Sequence, residues 1–350
     1  MNPEFWAGRR VLVTGHTGFK GAWLSLWLAR MGAEVTGVSA GVPTQPSLFA
    51  LARVEGDVTH VEADIRDYEA LREAVAAARP DVVFHMAAQA IVRRSFDDPR
   101  ETYETNVMGT VNVFEAVRVT GGAASLVNVT SDKCYENREW DWGYREHEPK
   151  GGYDPYSSSK GAAELVTDAY RRSFLGPLAS ARAGNVIGGG DWAEDRILPD
   201  AVRAADAGEP LVVRDPAAIR PWQHVLNPLS GYLVLAERLA SGEAAAARAW
   251  NFAPGLEDDQ RPVSWLVERF GAALGVPLEV TAPARADGPR EAARLGLDPT
   301  RAARELSWRE RWPLERGLAE TADWYRRVVF EGADARTVTL SQIRAFGPPA

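Results

Sequence analysis

The chain is poor in the residues that build covalent or metal-bound scaffolds. Its 350 residues include one cysteine, Cys134, which excludes a disulfide framework and suits a reducing, cytoplasmic setting. Five histidines and that lone cysteine show no metal-ligand spacing, so no metal is expected. Cys134 stands beside Lys133 but reads as a small residue near a ligand. No apolar run is long enough to span a bilayer. The opening Met-Asn-Pro-Glu-Phe-Trp lacks the features of a signal peptide. Positive charge is not in excess: the formal net charge is −8, which argues against a general nucleic-acid or acidic-membrane surface. Internal repeats and long low-complexity tracts are also missing. What remains is 45% hydrophobic and 25% charged, the balance of a globular protein. The length allows one large domain, or a domain with a lobe.

A strand–turn–helix unit lies near the start. Arg10-Val-Leu-Val-Thr14 predicts a buried strand, and Gly15-His-Thr-Gly18-Phe-Lys-Gly21 follows at once. Ala22–Met31 then predicts an apolar helix ended by Gly32. This is the context of a dinucleotide-phosphate loop. Gly15 permits the tight turn, Gly18 lets the backbone approach a pyrophosphate, and Gly21 lets the helix pack on the strand. The helix start offers unpaired N–H groups to the anion. The spacing is G-x-x-G-x-x-G rather than G-x-G-x-x-G. A second strand, Glu34–Val38, runs into Ser39 and not into the acid that commonly holds an adenosine ribose. No arginine stands there for a 2′-phosphate, so NAD is preferred over NADP.

A third strand leads to Ala63-Asp64-Ile65. Asp64 reads either as a partner for the adenine amino group or as the N-cap of the next helix. Asp81–His85 is a fourth strand, and the small residues of Met86-Ala-Ala-Gln-Ala90 suit a strand end lying against a flat ligand. Asn106 heads a helical run; a buried amide there needs a partner, and it also reads as a structural tie. Leu126–Thr130 is a fifth strand. Repeated strand–helix units predict an α/β fold with a doubly wound parallel, Rossmann-type sheet and a smaller C-terminal substrate lobe. Ligands of such sheets sit at the carboxyl ends of the strands. The expected division is residues 1–182, with a returning segment at about 222–250, for the cofactor, and 183–221 with 251–350 for the lobe. Gln223-His-Val225 is expected to rejoin the main sheet, and Trp250–Pro254 to form a further short strand. Gly188-Gly-Gly190 suits close contact with a pyrophosphate.

Tyr156 and Lys160 stand four residues apart in Tyr153-Asp-Pro-Tyr-Ser-Ser-Ser-Lys160. On a helix that places both on one face, one turn apart. A free phenol has a pKa near ~10, and a neighbouring ammonium lowers it. The pair is then able to take a proton from a sugar hydroxyl. The spacing alone is common in helices with Tyr in the core and Lys in solvent; the upstream glycine loop gives it meaning.

Further motifs are Thr130-Ser-Asp-Lys-Cys-Tyr-Glu-Asn-Arg-Glu-Trp140, Gly151-Gly-Tyr-Asp-Pro-Tyr156, Arg182–Trp192 and Ile219–Val225. With them the chain resembles, over nearly its whole length, the extended short-chain dehydrogenase/reductase family. Within that family it is similar to the nucleotide-sugar dehydratases that act on CDP-D-glucose. The glycine loop and Tyr/Lys pair mark the superfamily; the Ser-Asp-Lys-Cys-Tyr run is far more specific. Lys133 departs from the glutamate of the dTDP-glucose branch.

The resemblance implies an internal NAD redox cycle with loss of water from the sugar. It implies that Ser131 orients the sugar and Tyr156, and that Asp132 is an acid kept protonated by burial. Lys133 is then either a neutral base at C5 or a cation stabilising the enolate, while Tyr156 and Lys160 serve the C4 hydroxyl. The implied cofactor residues are Gly15, Thr17, Gly18, Phe19, Lys20, Gly21, Asp64, Ile65, Ala87, Ala88, Gln89, Asn106 and Thr130, with Tyr156 and Lys160. The implied substrate residues are Asn185, Arg196, Arg214, Arg220 and Arg290, because arginine forks suit phosphate oxygens. Glu291 adjoins Arg290, whereas Ala293 and Arg294 depart from the family pattern. Family precedent implies a homodimer or homotetramer paired through two helices per subunit. Two other readings stand beside this one. Another NAD-dependent nucleotide-sugar dehydratase or an epimerase is the first, and an epimerase needs neither Asp132 nor Lys133 for its chemistry. A non-catalytic NAD-sensing regulator is the second, and the presence of Tyr156 and Lys160 disfavours it.

Overall fold

The computed structural model describes residues 1–255, 260–283 and 292–347. Its centre is a seven-stranded parallel sheet. The strands are β1 (Arg10–Thr14), β2 (Glu34–Ser39), β3 (Thr59–Glu62), β4 (Val82–His85), β5 (Ser125–Val129) and β6 (Leu178–Arg182), with a later strand, Ala249–Asn251, outside β6. The chain winds outward from β1 through β2 to β3, then crosses back to β4 on the other side of β1. Thr14 pairs with His85 at that reversal, where the strand ends diverge and leave a ligand crevice.

The central strands β4, β5 and β6 are buried along their whole length, as a parallel sheet covered on both faces requires. One face carries the helices α1 (Phe19–Arg30), α6 (Leu226–Ala240) and α9 (Ala335–Phe346). The other carries α2 (Tyr68–Ala78), α3 (Gly109–Val119) and α4 (Pro155–Ser173). In β1, Val11 and Val13 point to the first face and Leu12 to the second, the period-2 alternation of a strand. Among the described residues no helix is long and apolar enough to cross a membrane.

Beyond β6 the chain builds three two-stranded ladders. β7 (Val186–Ile187) pairs with β10 (Gln223–His224), β8 (Leu211–Val212) with β13 (Val280–Thr281), and β9 (Ile219–Pro221) with β12 (Gln260–Pro262). The helices α5 (Ile197–Ala207), α7 (Val263–Leu274) and α8 (Leu314–Tyr325) complete this part. Gln223–His224 therefore does not rejoin the main sheet. The free edge of β6 is taken instead by β11 (Ala249–Asn251), whose Trp250 is fully buried. The glycine run is also packed rather than open. A Cβ on Gly189 would lie 2.0 Å from the Trp324 ring, and one on Gly190 2.8 Å from Leu48. Close helix packing, not a pyrophosphate, accounts for those two glycines.

Candidate active site

The glycine turn has the geometry its spacing predicts. Gly15 sits at φ +77°, and a Cβ there would lie 2.7 Å from the Ala87 amide nitrogen. A Cβ on Gly21 would lie 2.1 Å from the Gly15 carbonyl oxygen. Gly18 begins α1 without a side-chain cap, which leaves helix N–H groups for an anion. Loop, helix start and the crevice beside β4 thus fit a dinucleotide. At the end of β2 the acid is replaced by a chain of hydroxyl and imidazole groups. Ser39 Oγ shares a hydrogen bond of 3.0 Å with His16 Nδ1, and His16 Nε2 one of 2.7 Å with His60 Nδ1. Thr17 is buried, and its hydroxyl donates to the Gly41 carbonyl at 2.7 Å.

Several expected cofactor side chains are engaged within the fold. The Asn106 amide donates to the Gln89 carbonyl (3.0 Å) and to Ser159 Oγ (2.8 Å), and its oxygen accepts from the Gln89 N–H (2.9 Å). This is the structural tie that a buried amide predicts. The Gln89 side chain in turn donates to Thr102 and accepts from the Ile91 N–H. Asp64 accepts from the Arg66 N–H at 2.8 Å and pairs with its guanidinium at 2.6 Å. It does not cap the next helix; Asp67 does, accepting from Ala70 N–H at 3.1 Å. Ile65 is buried against Gly109, while Phe19, Ala87 and Ala88 are half-buried near the turn.

The second half of the site comes from the end of β5 and the start of α4. Pro155 and the Asp154 cap, which accepts from Ser157 N–H at 2.8 Å, fix where α4 begins. Tyr156 and Lys160 then lie on its buried face. The Lys160 Nζ stands 5.9 Å from the Tyr156 ring centre. Burial pushes the phenol up to about 12, opposed by the Ser131 hydroxyl. Burial also brings Lys160 down to about 8. The phenol thus stands above its ordinary value rather than below it, because desolvation outweighs the Ser131 hydrogen bond and the Arg196 charge that pull it down. Lys20 joins the same group from α1. Burial, then the like charges of Lys160 and Arg196, bring it down to about 7 against the pull of Asp132. Its Nζ reaches the Tyr232 hydroxyl at 3.5 Å.

The turn after β5 presents Ser131, Asp132 and Lys133. Ser131 Oγ donates to Asp132 Oδ1 at 2.9 Å and accepts from the Lys133 N–H at 3.2 Å. Asp132 is buried, and its Oδ2 finds no hydrogen-bond partner among the described residues. Glycine at 184 makes room for it: a Cβ there would lie 2.3 Å from Asp132 Oδ2. Lys133 is half-exposed. Asn185, at φ +32°, leaves a buried Oδ1 without a partner among the described residues. A carboxyl oxygen without a protein partner beside a phenol and two amines makes a site able to move protons on a bound polyol.

The arginines do not all converge. Arg196 pairs with Asp191 at 2.9 Å and faces Tyr156. Arg214 pairs with Asp195 at 2.6 Å, and Arg93, which the motifs do not single out, approaches the same carboxylate at 3.6 Å. Arg220 is buried and donates to the Ile219 and Ala293 carbonyls. Arg290 and Glu291 lie outside the described residues.

Three histidines give the protein a pH dependence. Burial brings His85 and His224 down to about 3, and burial with the neighbouring His60 brings His16 to about 4, all from 6.5. Unfolding lets each take up a proton below pH 6.5, so their contribution is complete above that pH and is lost as the pH falls. Each costs on the order of 2 kcal/mol by pH ~5, and the sum predicts a Tm lower by roughly ten degrees at pH ~5 than at pH ~7. Calorimetry across that range checks this; a flat Tm contradicts it.

Comparison with known proteins agrees with this geometry. The sequence profile of the GDP-mannose 4,6 dehydratase family matches residues 12–321. A CDP-glucose 4,6-dehydratase of Salmonella typhimurium is 50% identical over 335 residues, 93% of each chain. A dTDP-glucose 4,6-dehydratase of Xanthomonas campestris is 28% identical, over 90% of this chain and 92% of its own. Among solved structures, the Thermus thermophilus UDP-glucose 4-epimerase complex with NAD is similar at a TM-score of 0.77. It is 26% identical and covers 91% of this chain and 99% of its own. A Streptomyces venezuelae dTDP-glucose 4,6-dehydratase double mutant with NAD bound has a TM-score of 0.78. Its identity is 25%, and the match covers 92% of this chain and 99% of that one.

Proposed function

The chain belongs to the GDP-mannose 4,6 dehydratase family, and from that premise we propose that it converts CDP-D-glucose into CDP-4-dehydro-6-deoxy-D-glucose and water, as an NAD-dependent hydro-lyase. The observation that carries the choice of nucleotide is the 50% identity to a CDP-glucose 4,6-dehydratase, against 28% to a dTDP-glucose enzyme, each over at least 90% of the chain.

NAD, when bound, accepts a hydride from C4 and returns it to C6. The protein's own residues do the rest. The glycine turn and the start of α1 hold the pyrophosphate. Residues 1–182, with about 222–250, serve the cofactor; the remainder holds the nucleotide sugar, with Asn185, Arg196, Arg214, Arg220 and Arg290 as its contacts. Tyr156 takes the C4 hydroxyl proton, supported by the Lys160 ammonium. The C4 ketone makes the C5 proton acidic. Lys133 removes that proton or stabilises the enolate as a cation, Asp132 protonates the departing C6 hydroxyl, and a proton returns to C5 as the hydride reaches C6. The unpartnered Asp132 oxygen, buried beside Gly184, supports that role.

Incubation with CDP-, dTDP-, UDP- and GDP-glucose, followed by mass spectrometry, tests the reading. Loss of one water from CDP-glucose supports it; unchanged masses throughout contradict it. Lys133→Ala is expected to slow exchange of the C5 proton with solvent deuterium by about 10²-fold or more; normal exchange removes Lys133 from both roles. We further propose a cytoplasmic homodimer or homotetramer. Met108 and Leu165, more than half exposed on neighbouring helical segments, supply apolar surface for pairing. A monomeric mass in sedimentation contradicts the pairing, and cell fractionation tests the location.

A further inference from the structure

One ion pair lies under the Ser131–Asp132–Lys133 turn. Glu164 of α4 and Arg182 of β6 are both fully buried, with Arg182 NH2 at 2.6 Å from Glu164 Oε2. Against the upward push of burial, Arg182 and the Thr130 hydroxyl hold the Glu164 carboxyl down to about 2. Thr130 Oγ1 donates to Glu164 Oε1 at 2.5 Å, and Ser180 Oγ to Oε2 at 2.9 Å. On the other side, Arg182 NH1 donates to the Tyr135 hydroxyl at 2.7 Å and to the Glu146 carbonyl at 3.1 Å. The Tyr135 hydroxyl in turn donates to Asn251 Oδ1 at 2.7 Å.

The sequence positions give this network its meaning. Thr130 immediately precedes Ser131, and Tyr135 immediately follows Cys134. Both ends of the Asp132–Cys134 turn are therefore tied to one ion pair. Between those ends the turn is a single 3₁₀ turn, closed by a long Cys134 N–H to Ser131 carbonyl contact of 3.4 Å. Such a turn holds its shape poorly alone. Glu164 also lies one helical turn beyond Lys160 on the helix that carries Tyr156. Buried charge pairs contribute little net stability, but leaving one partner alone is costly, so the pair's value here is in geometry.

We infer that the Glu164–Arg182 pair, acting through Thr130 and Tyr135, is a positioning clamp for Asp132 and Lys133. It sets where the turn stands against α4, the helix that also carries Tyr156. Loosening the clamp displaces Asp132 and Lys133 more than Ser131, whose neighbour Thr130 keeps its backbone bond to the Ala181 carbonyl, so water loss slows more than C4 oxidation. This rests on the dehydratase reading above.

Tyr135→Phe tests it with one hydroxyl removed and the ring still stacked on Tyr144, 5.2 Å away. With CDP-glucose, kcat is expected to fall about 10- to 10²-fold with KM unchanged, while reduced cofactor builds up on the enzyme. Thr130→Val is expected to behave alike, and Thr130→Ser to restore turnover. In protein without ligands, amides of residues 131–135 are expected to exchange faster in Tyr135→Phe, with α4 unaffected. An unchanged kcat in the folded variants overturns the clamp, as does a fall without build-up of reduced cofactor. If the unmodified protein leaves CDP-glucose intact, the dehydratase reading fails, and amide exchange still decides whether the turn is clamped.

Discussion

Tyr156→Phe is expected to lower turnover of CDP-D-glucose by ~10³-fold or more, with NAD affinity nearly unchanged. The residue is buried, and its phenol is pushed up to about 12 by that burial. A buried phenol gives up its proton only where a nearby cation offsets the cost. Lys160, brought down to about 8 and so still mostly charged at neutral pH, stands 5.9 Å from the ring. Phenylalanine keeps the ring in its packing and removes only the proton acceptor. Single-turnover absorbance of NADH, with NAD binding measured by calorimetry, separates the two effects. Rapid NADH formation in the variant removes Tyr156 from the reaction.

The second large effect is expected from Asp132→Asn. Oxidation at C4 proceeds, water loss slows by roughly 10²–10⁴-fold, and reduced cofactor accumulates on the enzyme. Asparagine has nearly the same shape and fits the space that Gly184 leaves. Its oxygen still accepts from Ser131, so the turn keeps its internal bond. What it loses is the ability to donate an acidic proton. Unchanged turnover shows that Asp132 is not the acid. A block before NADH formation would instead make it part of substrate orientation.

These two residues were legible in the sequence for different reasons. Tyr156 and Lys160 announce themselves by helical spacing after a Pro155 start, and α4 begins there with Asp154 as its cap. Strands β1 to β5 were equally legible, since short apolar runs bounded by glycine or small residues leave few alternatives. Asp132 was visible through its neighbours in a specific motif, but its burial and free oxygen are products of tertiary packing. The sequence alone does not place Gln223–His224, because strand pairing at a sheet edge depends on which segment competes for it. Ala249–Asn251, with Trp250 to bury, wins the edge of β6.

The side chains of Thr130, Asn106 and Gln89 turn inward to bonds that no local pattern specifies. Lys20 belongs in sequence to the glycine loop; its side chain belongs equally to the amine group around Tyr156. The Glu164–Arg182 pair left no signal, because its partners are 18 residues apart and the other acceptors of Arg182, Tyr135 and the Glu146 carbonyl, lie in the segment between β5 and α4.

The central claim is an internal transfer from C4 to C6 of one sugar, and CDP-D-glucose labelled with deuterium at C4 tests it most directly. The product is expected to be lighter by one water, to retain the deuterium, and to carry it at C6 in its NMR spectrum. Deuterium that stays at C4, or that is lost to solvent, would contradict the account.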